Sequence, residues 1–170
     1  KVKEEAGFKG TLQEFFAFMR TSPQFQLGNN DAGRAQYIKM SEDYLAGMTA
    51  KLPEYFGILP KAKLVVKRVE PFREEPGGAQ HYFPSTPDGS RPGVFYAHLS
   101  DMKAMPTYTL EAIAYHEGVP GHHMQIAIAQ ELTGIPKFRT QYFYTAYAEG
   151  WGLYSEALSK DMGFYKDPYS

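Results

Sequence analysis

Pro120 stands inside a stretch, about Leu110 to Glu131, that otherwise reads as one helix, and it limits what that helix can be. A proline has no N–H for the carbonyl four residues back, here that of His116, and its ring clashes with that carbonyl. Gly118 and Gly121 flank it with the backbone freedom to absorb a distortion. The residues around the break, "YHEGVPGHHMQ" (115–125), include His116, Glu117, His122 and His123.

On a straight helix this set cannot hold a metal. Zinc needs donor atoms ~2.0–2.2 Å from a single point, and residues four apart share a helix face one turn, ~5.4 Å, apart. His116 and His122 are six apart, ~240° around the axis, while His116 and His123 share a face ~10.5 Å apart along it. The H-E-x-x-H pattern of zinc peptidases wants its second histidine where Pro120 stands. A bulge over Gly118–Gly121, of the kind that collects at functional sites, absorbs the two extra residues and brings His122 to the missing place. With a smaller bulge, His123 is the ligand instead.

Glu117 follows the first histidine, where a general base can take a proton from an activated water. One more protein ligand is needed, and "YAEGWGLYSEAL" (147–158) offers Glu149 and Glu156 on one helix face. We expect Glu149 as ligand and Glu156 as a hydrogen-bond partner for a ligating histidine. Tyr144, Tyr147, Tyr154 and His123 are candidates to stabilise an oxyanion or face substrate, although helical tyrosines commonly serve packing. His81 and His98 read as structural. A di-iron carboxylate bundle needs Glu-x-x-His pairs, and the chain has none.

Upstream, Thr11 with Glu14 forms a capping box before an apolar face of Leu12, Phe15, Phe16 and Met19. Asn30 or Asp31 caps a second helix to about Lys51, with Tyr37, Met40, Tyr44, Leu45 and Met48 facing a core. Segments 63–70, 79–83 and 93–99 read as strands of a small antiparallel sheet. The 93–99 strand is a candidate edge for an extended peptide. Arg91, in the turn-rich loop before it, either pairs with a substrate carboxylate, a carboxypeptidase-type preference, or stabilises the turn. Thr107 or Thr109 caps the proline-interrupted helix, Gly134 and Pro136 end it, and a last helix runs from about Thr140 to Met162. The expected fold class is α+β and mainly helical: helices over 1–60, a small sheet over 61–100, and metal-site helices over 106–163.

At 170 residues the chain is one domain, or a fragment of a larger one. Its net charge of −1 gives no electrostatic case for nucleic acid. No cysteine is present, which excludes disulfides and thiolate metal sites. No apolar run approaches the ~18–20 residues of a membrane span.

"YHEGVPGHHMQ" followed by "YTAYAEGWGLYSEAL" and "MGFYKDPY" resembles the bacterial domain-of-unknown-function family numbered 885, regarded as zinc metallopeptidases related to the gluzincins. "KLPEYFG" and "PDGSRPGVFY" extend the likeness over residues 1–170. The resemblance implies one zinc ion held by His116, His122 and Glu149, with Glu117 as base and a peptide substrate. It also implies a zincin-like helix pair and the central metal-site portion of a longer enzyme. A bacterial envelope or secreted location is favoured, with the cytoplasm left open. Two rivals stand beside this: a non-catalytic metal- or peptide-binding relative, and a purely structural helical domain in which Pro120 makes only a bend.

Overall fold

A computed structural model describes residues 1–75, 77–142 and 144–170, with the side chain of Gln141 outside the description. After a single turn, α1 (Val2–Glu5), come α2 (Leu12–Thr21), α3 (Asp31–Lys51), β1 (Leu64–Arg68), β2 (His81–Phe83) and β3 (Gly93–Ala97). The helices α4 (Thr107–Glu117), α5 (His122–Glu131), α6 (Lys137–Gln141) and α7 (Thr145–Asp161) complete the described order. The chain is mainly helical with one small sheet, an α+β arrangement.

Local signals set several boundaries. Thr11 accepts the N–H of Glu14 at 3.2 Å while Glu14 reaches back to the Thr11 N–H, so two orphan donors of α2 are satisfied together. Asn30 caps α3 by accepting the Gly33 N–H at 2.9 Å. The apolar face expected on α2 is only partly internal. Phe15 is buried, whereas Leu12 and Phe16 are exposed. Phe15 and Phe18 pack instead into an aromatic group with Phe8, Phe25 and the C-terminal Tyr169.

The sheet is mixed, which corrects the antiparallel expectation. Its order is β1-β3-β2, with β1 parallel and β2 antiparallel to β3. β3 takes the centre because it is the most apolar strand: Val94, Phe95 and Ala97 are buried. A central strand also has both edges paired, so β3 cannot offer an edge to a peptide. The outer edges belong to β1 and β2, of which β2 is the one on the Glu117 side. The core face of β3 meets α3 and α4, where Leu45, Met48, Phe95, Ala114 and Tyr115 form one apolar cluster with Met162 of the C-terminal turn.

Two helix expectations also change. No bulge forms at Pro120; the helix breaks into α4 and α5. Gly118 (φ −99°, ψ −117°) and Gly121 (φ −77°, ψ −130°) both leave the helical region, and the Val119–Pro120 peptide is cis. α4 is preceded by Pro106 at its cap position, and the Thr109 hydroxyl donates to the Pro106 carbonyl rather than capping the helix. The last helix begins later than expected, at Thr145, because Tyr142 and Tyr144 are extended and separate it from α6. Phe143, inside the expected helix, lies outside the described residues.

Candidate metal centre

The break between α4 and α5 is a tight, specified turn. The Gly121 N–H donates to the Tyr115 carbonyl at 3.0 Å and the His123 N–H to the Gly118 carbonyl at 3.0 Å. A Cβ on Gly121 would stand 2.0 Å from the His116 carbonyl oxygen, so only glycine fits. Trp151 of α7 donates its indole N–H to the Pro120 carbonyl at 2.8 Å, which ties the turn to the last helix.

This turn places the rings of His116 and His122 with centroids 4.6 Å apart and planes at 83°. Glu149, on the facing α7, completes the group. Its Oε2 lies 3.2 Å from His116 Nε2 and 3.5 Å from His122 Nε2, and the three ligand atoms all lie within 4.8 Å of one another. Tetrahedral zinc with ligand bonds of ~2.1 Å separates its donors by about 3.4 Å. Two observed spacings bracket that value, so these residues fit the ion expected from the sequence. Gly152, three residues after Glu149, makes room for the arrangement: a Cβ there would meet the His116 ring at 2.6 Å.

His116 is oriented from behind by Glu156, whose Oε1 lies 2.7 Å from Nδ1. Burial opposes a charge on His116, but Glu156, Glu117 and Glu149 outweigh it and raise its pKa above the usual histidine value. His122 moves the other way, lowered by burial and by the neighbouring His116. Its Nδ1 is buried with no partner among the described residues. Two histidines of opposite tendency around one carboxylate suit a site that a single cation fills.

Glu117 is buried, and desolvation pushes its pKa up to about 7, with His116 opposing the rise and Glu149 adding to it. The backbone of Tyr82 on β2 also acts on this carboxylate, so the sheet's edge strand runs beside it. One oxygen, Oε2, is buried and unpartnered among the described residues. With His116 and Glu156 it lines a cavity of about 580 Å³ whose other walls include Tyr108, Ile113 and Met105.

His123 turns away from this group. Its Nε2 donates to the Ala62 carbonyl at 3.1 Å, so its Nδ1 accepts from the Tyr82 hydroxyl at 3.0 Å. Burial lowers its pKa to about 4, which keeps the ring neutral. It therefore lies outside the His116–His122–Glu149 group and lines a different cavity, of about 720 Å³, between α3 and β1. Tyr147 and Tyr154 are exposed and sit roughly 140–160° around α7 from Glu149. Neither joins the group. Tyr144 is exposed just before α7.

The sequence reading missed Gly152, Trp151 and Tyr82. Two glycines inside a helical pattern, Gly150 and Gly152, were a usable signal, since glycine weakens a helix interior by about 1 kcal/mol and needs a reason to be there. The partnership of Tyr82 with His123 spans 41 residues and left no local trace.

Among curated proteins, none matches this chain. A solved structure of a candidate lipoprotein from Colwellia psychrerythraea is similar, with 34% identity and a TM-score of 0.91 over 99% of this chain. The chain spans 29% of that protein's length. The model of one family, bacterial proteins of unknown function, matches residues 1–170, and the chain therefore belongs to the DUF885 family.

Proposed function

We propose that this chain carries the metal centre of a zinc-dependent peptidase of zincin type. The observation that carries the reading is the convergence of His116, His122 and Glu149, with ligand atoms within 4.8 Å of one another and Glu117 buried beside them. His116 Nε2, His122 Nε2 and a Glu149 oxygen would hold the ion, and a donor set of two imidazoles and a carboxylate favours zinc. Bound there, zinc supplies Lewis-acid polarisation of a carbonyl and acidifies a water.

The chain's own groups do the rest. Glu117, with a pKa near neutrality, takes a proton from the attacking water and delivers it to the leaving amine. Glu156 holds His116 in the tautomer that presents Nε2 forward. β2, the sheet edge beside Glu117, pairs with an extended peptide. Likeness to a candidate lipoprotein supports a place in the bacterial envelope.

A metal-binding relative without activity is the second reading, and the buried, unpartnered oxygen of Glu117 weighs against it, because a binder gains nothing from that cost. Glu117→Gln in the whole protein separates the two. We expect zinc content to be unchanged and hydrolysis of a peptide library to fall by at least a hundredfold. Turnover equal to wild type would remove Glu117 from the mechanism, and no turnover in either protein would favour the binder.

A further inference from the structure

A second cavity, of about 520 Å³, lies between the 84–91 loop, α5 and α6. Arg91 and Arg139 both line it. Arg34, Arg68 and Arg73 each have a carboxylate partner, yet among the described residues no carboxylate pairs with Arg91 or Arg139. Asp88 is the one acid in the 84–91 loop, and its Oδ1 is taken by the N–H of Ser90 at 3.1 Å and the Ser90 hydroxyl at 2.8 Å.

Arg91 is held in place without being neutralised. Its backbone N–H donates to Thr86 Oγ1 at 2.9 Å, its carbonyl accepts the Thr86 N–H at 3.2 Å, and its guanidinium lies 4.8 Å from the centre of the Phe83 ring. Ser85 lines the same cavity and is 3% exposed, with its backbone N–H donating to the Tyr82 hydroxyl at 3.3 Å and its own hydroxyl beside that phenol. Two open guanidinium forks and a buried hydroxyl around one space form a receptor for a carboxylate, the planar anion that guanidinium binds through two parallel hydrogen bonds.

The cavity also adjoins the metal centre. Ile126, part of its wall, is four residues after His122, one turn along the same face of α5, or about 6 Å. At ~3.3–3.6 Å per extended residue, an anion held there stands about one to three residues from a bond at His116 and His122.

We propose that this cavity is a subsite for the free C-terminal carboxylate of a peptide, read by Arg91, Arg139 and Ser85. The location relative to cleavage rests on the peptidase reading, so the test measures binding without turnover. The whole protein carrying Glu117→Gln is titrated against fluorescein-labelled penta-alanine ending in a free carboxylate, its C-terminal amide, and an amide with glutamate as the last residue. The free acid should bind at least about tenfold more tightly than the plain amide, with a preference that shrinks as salt is added. R91Q with R139Q should bring the acid to the amide's level and leave the amide unchanged, and Ser85→Ala should reduce the preference a few-fold.

Equal or absent binding of the acid overturns the subsite, as does a preference that survives the double substitution. Binding of the glutamate amide as tight as that of the acid shows that a side-chain carboxylate is read instead of the C-terminus. A protein that prefers the acid but hydrolyses neither peptide before Glu117 is changed refutes the peptidase reading and leaves the subsite standing.

Discussion

Glu156 Oε1 and His116 Nδ1 lie 2.7 Å apart, across the interface of α7 with α4, and this bond decides which nitrogen of His116 faces Glu149. A histidine anchored this way is a stronger ligand, because its ring no longer has to be ordered when the ion arrives. Glu156→Gln should therefore weaken zinc affinity by roughly 10–100-fold, read by competition with a chelating dye, with helical content unchanged. Unaltered affinity would show that the bond orients nothing that matters to the metal.

Gly152→Ala gives a test of sign. In a helix interior this change ordinarily adds about 1 kcal/mol of stability. Here the new Cβ would stand 2.6 Å from Cε1 and Nε2 of His116. We expect no gain in melting temperature and a loss of zinc affinity. A rise in melting temperature with zinc affinity intact would mean that His116 does not rest against α7 as described.

His122 and His123 are adjacent in sequence and should behave oppositely. His122→Ala should abolish stoichiometric zinc while the apo protein melts close to wild type. His123→Ala removes the donor to the Ala62 carbonyl and the acceptor of the Tyr82 O–H, at a cost of about 1–3 kcal/mol each, so it should lower the melting temperature and keep the metal. The reverse pattern would exchange their roles.

Away from the site, Glu74 accepts from Arg68 at 2.6 and 3.0 Å and from the Leu99 N–H at 2.7 Å. The Arg68 hydrogen bonds, opposed by desolvation and aided by the Leu99 amide, hold its pKa below the ordinary 4.5. A carboxylate depressed in the folded state adds stability that is complete above its unfolded pKa and disappears as pH falls through the folded one. The melting-temperature gap between wild type and Glu74→Gln should thus be full near neutral pH and close as pH falls below about 4.5. A gap independent of pH would assign the effect to packing.

What the sequence made legible divides along physical lines. Caps are local, so Thr11–Glu14 and Asn30 could be read directly. The spacing of His116, Glu117 and His122 also pointed to a distorted helix, because Pro120 removes a helix bond whatever surrounds it. Whether the chain would bulge or restart depended on two glycines leaving the helical region and on Trp151 capturing the Pro120 carbonyl 31 residues away. The central place of β3 was likewise hidden. Strand composition reports burial, but pairing order is fixed by the 12 residues of 69–80 carrying the chain past one strand position. The role of His123 turned on Tyr82 and Ala62, both remote in sequence.

His116, His122 and Glu149 are expected to share one zinc ion. Anomalous diffraction at the zinc edge, from crystals of the whole protein grown without chelator, tests it most directly. We expect a single peak bonded to Nε2 of His116, Nε2 of His122 and a carboxylate oxygen of Glu149 at ~2.0–2.2 Å, with Glu156 still on His116 Nδ1. No peak between α4, α5 and α7, or a peak bonded to His123, would contradict it.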